Sequence, residues 1–140
     1  MPEGHSTRIE LTFVPMRNVL FLTIALNHAL SLGMDTVVFG ACKDDAVNYP
    51  DCRASFFAAF EVMACKALQR KVQILTPLIN MIKADIVRLA RQLPGCWDAL
   101  AYTHTAYDDN ALGKDHASVL RAQGFLEAGE VDPLTLREHS

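Results

Sequence analysis

Thr36-Val37-Val38-Phe39 is a run of β-branched and aromatic residues with no polar alternation, closed by Gly40. A strand wet on one face alternates, so this run predicts a parallel strand covered on both faces. Its flanks predict the covering helices. Pro15 holds Val14 extended, so the preceding helix starts no earlier than about Arg17, with Asn18 as N-cap and Gly33 at the positive-φ position after its end. Residues 19–32 are apolar nearly all round. That pattern predicts cover on most sides, by a sheet and neighbouring helices or by a subunit interface. Downstream, Phe56, Phe57, Phe60, Met63, Ala64 and Ala67 recur at helical spacing. They read as core rather than as a cofactor box, with Asp51 placed to cap their helix.

Val72-Gln73-Ile74-Leu75 predicts a second strand, ending in Thr76-Pro77-Leu78. A helix follows from about Lys83 to Leu93, stopped by Pro94-Gly95. Residues 1–10 are polar and read either as frayed or as leading into a short entry strand from Arg8 to Phe13. The alternation of helices and strands implies an α/β domain with a parallel sheet and right-handed crossovers over residues 1–95. Residues 96–140 form a mostly polar tail with one short helix from about Ser118 to Ala128, ended by Gly129. Two strands make a poor sheet, so the domain reads as incomplete.

The chain of 140 residues, 51% hydrophobic and 21% charged, is long enough for one real core. A net charge of −3 argues against a nucleic-acid surface, which needs clustered Lys and Arg. Cys42, Cys52, Cys65 and Cys96 show no C-x-x-C spacing and no signal peptide precedes them, so reduced thiols in a cytoplasmic protein are expected. The apolar run from Val19 to Leu26 is too short to span a bilayer, and a soluble protein is expected.

The loop leaving the first strand reads G-A-C-K-D-D-A-V-N-Y-P-D-C-R, from Gly40 to Arg53. In open α/β sheets ligands bind at the carboxyl ends of strands, which is where this loop lies. Its residues carry usable chemistry. Asp45 and Asp51 are acceptors, Tyr49 a stacking surface, and Arg53 a planar fork for carboxylate or phosphate. Arg17 and Asn18 open the preceding helix beside it. Each also has a purely structural reading: a cap, a turn former, a surface ion pair or a partner for loop carbonyls.

Together F-V-P-M-R-N, the Gly40–Arg53 string, and T-P-L followed by Lys83-Ala84-Asp85-Ile86 resemble the 7-cyano-7-deazaguanine synthase (QueC) family over residues 11 to about 93. The resemblance implies a Rossmann-like sheet of the pyrophosphatase-loop type. It also implies conversion of 7-carboxy-7-deazaguanine and ammonia to the nitrile preQ0, driven by ATP with Mg²⁺. On that resemblance Phe13, Arg17, Asn18, Tyr49, Asp51 and Arg53 bind the substrate. Lys83 meets the pyrophosphate leaving group, and Asp45 faces the substrate or Mg²⁺. Covalent catalysis by Cys42 or Cys52 is the less favoured reading.

Two departures qualify it. The Ser-Gly-Gly-x-Asp-Ser loop that opens the family is not among these residues. At the family's zinc-binding cysteines this chain has a residue near Ala106, then Leu112, Asp115 and Ser118, so no zinc is expected. His104, Asp108, Asp109, Asp115 and His116 match no strong metal spacing and read as a solvated loop. The expectation is a substrate-side portion, inactive alone, that needs a second copy or a partner chain with the missing loop. The alternative is a non-catalytic binding or interaction protein.

Overall fold

The computed structural model describes residues 14–106 and 115–138. They fall into two compact units, one ending at Asn80 and the other beginning at Met81. Among the described residues no helix is long and apolar enough to cross a membrane.

The first unit is α/β. Its elements are α1 (Arg17–Ser31), β1 (Thr36–Val38), α2 (Lys43–Asn48), a 3-10 turn (Pro50–Cys52), α3 (Ala54–Leu68) and β2 (Gln73–Leu75). β1 and β2 pair in parallel, with Thr36 opposite Gln73, Val37 opposite Ile74 and Val38 opposite Leu75. Helix α1 ends as its glycine predicts. Gly33 sits at φ 75°, its N–H donates to Leu30 O, and Met34 N donates to Ala29 O, a Schellman closure.

The start of α1 differs from expectation. Met16, not Asn18, is the N-cap; it lies in the left-handed region at φ 64° and makes no side-chain cap. Asn18 is inside the helix and buried. Asp51 does not cap α3 either, because Pro50 opens a 3-10 turn that leaves Arg53 at that N-cap.

One face of the two-stranded sheet carries the core. Leu22 and Leu26 of α1 meet Phe57, Phe60 and Ala64 of α3 over Val72 and Ile74, with Val37 and Phe39 packed against them. Phe39 and Phe57 lie 5.1 Å apart between ring centroids, as do Phe56 and Phe57. The aromatic stripe is therefore core, although Met63 and Ala67 at its edge are exposed. The expectation that Thr36–Phe39 is covered on both faces fails. Val38 is 64% exposed and Leu75 47%, because among the described residues of this unit helices pack on one face of these strands only. On α1, Leu20, Phe21 and Ile24 are exposed in the same way.

The second unit is helical, with α4 (Lys83–Gln92), α5 (Cys96–Leu100), α6 (His116–Ala128) and α7 (Pro133–Glu138). Helix α6 begins two residues before the predicted start, because Asp115 caps it by accepting from Ser118 N at 2.7 Å. Gly129 closes it at φ 73°. Helix α4 packs on α6. Arg121 joins the helices to the loop after α5: it makes a two-pronged pair with Asp132 at 2.6 and 2.9 Å and donates to Leu100 O and Thr103 Oγ1. Arg91 lies 3.4 Å over the Trp97 ring and bonds Glu130 at 2.7 Å, holding that carboxyl below its usual pKa.

Candidate functional site

The loop after β1 folds into two short turns because its sequence supplies two interruptions. Cys42 stays extended and starts α2, and Tyr49 turns extended ahead of Pro50, as a residue preceding proline must. The result is a polar ledge from Ala41 to Arg53 at the carboxyl end of β1.

Four bonds from three side chains hold the ledge. Asn18 Nδ2 donates to Asp51 O at 3.1 Å and to Cys52 Sγ at 3.5 Å, reaching across 33 residues of sequence. Arg53 Nε donates to Ala46 O at 3.1 Å, tying the 3-10 turn back to α2. The Cys42 thiol donates to Asp45 Oδ2 at 3.1 Å. Asn18 is 6% exposed, so its amide has little access to solvent and is committed to positioning the turn.

These bonds leave particular groups on offer. Among the described residues the half-buried Asp51 carboxylate takes no hydrogen bond, and Arg53 uses only Nε, leaving both terminal guanidinium nitrogens. Arg17, Asp45 and Tyr49 are half-buried around the same turn, and each makes contacts within the protein.

The thiols here are not set up as nucleophiles. Burial, then the charges of Asp51 and Asp45, push the Cys52 thiol up to about 11, against smaller opposing effects from the Asn18 bond and Arg17. It therefore stays protonated at neutral pH, and the thiolate is the reactive form. The charges of Arg17, Asp45 and Asp51 thus all act on one sulfur. Cys42 is 1% exposed and spends its S–H on Asp45.

Of the residues singled out in the sequence, Arg17, Asn18, Asp45, Tyr49, Asp51 and Arg53 thus share one unit and one ledge. Phe13 lies outside the described residues. Lys83 belongs to the second unit, at the first position of α4. There its Cβ lies against Gly124 of α6, so closely that a Cβ built on that glycine would sit 2.7 Å away. Sequence reasoning did not assign Gly124 this part; its signal is a glycine in mid-helix. Of the metal donors considered, Asp108 and Asp109 lie outside the described residues. Among the described residues no three His, Cys, Asp or Glu side chains converge on a common point. An open depression of about 580 Å³ lined by Cys65, Lys66, Gln69, Arg70 and Lys71 sits at the amino end of β2, away from the ledge.

Known proteins bear out the resemblance. A family model described as queuosine biosynthesis protein QueC matches residues 1–129. A 7-cyano-7-deazaguanine synthase of Chromobacterium violaceum is 41% identical over 128 residues, covering 90% of this chain and 54% of the relative. Those of Pelobacter propionicus and Gloeobacter violaceus are 40% and 39% identical, covering 95% and 90% of this chain and 62% and 57% of each relative. The chain therefore spans between about half and three-fifths of the length of the curated relatives it matches. The match takes in both the loop that forms the ledge and the helix that starts at Lys83, and by it the chain belongs to the queuosine biosynthesis QueC family.

Proposed function

We propose that this chain supplies the substrate-side portion of a 7-cyano-7-deazaguanine synthase and binds 7-carboxy-7-deazaguanine on the ledge from Ala41 to Arg53. The observation that carries this is the clamp of buried Asn18 on Asp51 and Cys52, which fixes a turn whose Asp51 carboxylate and Arg53 terminal nitrogens are left for a ligand. A deazaguanine presents an exocyclic amine and ring N–H donors on one edge and, here, a carboxylate at the other end. Asp51, aided by Asp45, accepts from the first. Arg53 and Arg17 pair with the second, their planar guanidinium groups suiting a bidentate carboxylate. Tyr49 or Phe13 stacks on the ring. Asn18 acts through the turn it holds.

ATP and Mg²⁺ fit this chain only in part. Lys83 is a cation suited to the charge that develops on a pyrophosphate leaving group, and Asp45 is the type of oxygen ligand Mg²⁺ prefers. The backbone-amide cradle for the phosphates has no counterpart string in the sequence. The chain on its own is accordingly inactive. It works in an assembly, with a second copy or with polypeptide bearing a pyrophosphatase loop that completes the Rossmann-like fold.

Titration calorimetry with 7-carboxy-7-deazaguanine tests the substrate reading. Binding by the isolated chain, weakened at least roughly tenfold by Arg53→Ala or Asp51→Asn as expected for loss of a charged hydrogen bond, supports it. No heat at high ligand concentration overturns it, and ATP-dependent AMP release by the chain alone overturns the claim of inactivity.

A further inference from the structure

Helix α2 buries none of its own residues, so no apolar contact of its own fixes its place. The two residues before it do the opposite. Ala41 is 3% exposed and Cys42 1%, and together they root the start of the helix in the interior. A residue in the position of Cys42 ordinarily caps its helix with a side-chain oxygen that accepts from the backbone N–H three residues on. Cys42 is the N-cap by its backbone, extended at φ −127°, but its side chain makes no such cap. Its thiol donates instead to the carboxylate three residues on, Asp45 Oδ2, at 3.1 Å.

That bond ties a half-buried carboxylate on the ledge to an atom packed inside the protein. Close packing lets such an atom shift little, so it makes a fixed anchor. A thiol is a weak donor, and a carboxylate has lone pairs for about four hydrogen bonds. The bond therefore sets the direction of Asp45 without using up its capacity to accept. Direction matters because a second carboxylate lies close by. Asp45 and Asp51 both act on the Cys52 sulfur, so two acceptors flank one point of the ledge. An exocyclic amine carries two hydrogens that diverge from one nitrogen, and each takes its own acceptor.

We propose that Cys42 is a positioning residue that sets the specificity of the ledge: through Asp45 it fixes the second of two acceptors that read the exocyclic amine of the deazaguanine. Asp51 takes the ring N–H and one amine hydrogen, and Asp45 takes the other. A ring lacking the amine turns a C–H edge to Asp45, and a site built to hydrogen-bond a group rejects the analogue without it. The ligand rests on the substrate reading above; the coupling of Cys42 to Asp45 rests on the bond itself.

Titration calorimetry on the full chain with 7-carboxy-7-deazaguanine and with 7-carboxy-7-deazahypoxanthine, its analogue without the amine, is the test. The parent chain should favour the amine-bearing ring by at least roughly a hundredfold. Cys42→Ala should cut that preference roughly tenfold and leave affinity for the amine-free ring within about twofold of the parent. Cys42→Ser, which restores a donor, should bring the preference back. In an Asp45→Asn background Cys42→Ala should change nothing further, because the two residues act as one unit. A merely structural Cys42 would weaken both rings alike, and that result overturns the assignment, as does an additive loss in the Asp45→Asn background. If circular dichroism shows that Cys42→Ala does not fold, preference kept in Cys42→Ser and lost in Asp45→Asn supports the assignment, and any other pattern overturns it. Heat with an undiminished preference in Cys42→Ala sinks the assignment alone. No heat with either ring from the parent chain sinks the substrate reading and the assignment with it.

Discussion

Gly124→Ala is a mutation whose sign, not only its size, tests the packing around Lys83. Gly124 is a buried glycine in the interior of α6. On intrinsic helix propensity alone, alanine there gains about 1 kcal/mol. The structure predicts the reverse. The added methyl would lie 2.7 Å from Lys83 Cβ, 3.4 Å from Lys83 C and 3.6 Å from Ala84 N. The nearest atom is the root of a side chain at the first turn of α4, not a flexible tip, so relief requires the helices to separate. Overpacking of this kind costs about 1–3 kcal/mol, which outweighs the propensity gain and leaves a net loss of about 1 kcal/mol. Urea unfolding followed by circular dichroism reads it. A cycle with Lys83→Gly, which deletes the clashing Cβ, should recover most of the overpacking penalty, since contacting residues couple. A stabilised Gly124→Ala, or a cycle with no coupling, would show that α4 and α6 do not meet at this point.

Three other changes probe named interactions. Arg121→Met leaves the Asp132 carboxylate, 10% exposed as a side chain, without its partner, and should cost about 3 kcal/mol; denaturant midpoints within error of the parent would contradict the buried pair. Ser118 Oγ is buried with no partner among the described residues, so Ser118→Ala should stabilise the chain by about 1 kcal/mol, and a lower melting temperature would refute that. Cys52 should react with iodoacetamide at pH 8 at least roughly tenfold more slowly than in the unfolded chain, because its thiol is raised to about 11 from 9.0. The sign for stability follows. Below pH 9 the thiol is protonated in both states; between 9 and 11 the unfolded thiol ionises first, so stability falls. The full shift corresponds to about 3 kcal/mol, and solvent screening of a half-exposed group reduces it to about 1 kcal/mol. Cys52→Ala should flatten that alkaline fall by this amount, and an identical alkaline profile would count against the raised thiol.

Features written in local sequence were legible before the fold was. Gly33 and Gly129 end their helices where a residue at positive φ is needed, and Pro94 with Gly95 follows α4. The runs Thr36–Phe39 and Val72–Leu75 match the two strands to within a residue, and the strand expected from Arg8 to Phe13 lies outside the described residues. What failed was decided by partners distant in the chain. Asn18 has the residue type of an N-cap, but its amide finds Asp51 and Cys52 instead, and the cap falls to Met16 in a left-handed conformation that no sequence rule assigns to methionine. Val38 reads as buried because its neighbours are apolar, yet burial depends on a second layer that these residues do not form. The short helices α2, α5 and α7 carry too few turns to leave a periodic signal. The ledge was found through its string of reactive residue types, and the bonds that shape it were not visible there.

On the proposed reading, those bonds also separate binding from catalysis. Asn18 to the 3-10 turn, Arg53 to Ala46 and Cys42 to Asp45 all close within one compact unit, and none involves the exposed face of the sheet. The ledge is therefore formed whether or not the Val38–Leu75 face is covered. A preformed site needs no ordering when its ligand arrives, so affinity for the deazapurine should already be present in the isolated chain. Catalysis is different in kind. It needs charge stabilised as pyrophosphate departs, and the phosphate cradle for that step has no counterpart in the sequence. On the proposed reading, completing the fold should change turnover from none to measurable while shifting the substrate dissociation constant by less than roughly tenfold. If completing the fold instead created affinity where the isolated chain had none, the ledge would not be preformed, and Asn18 could not be its fixed support.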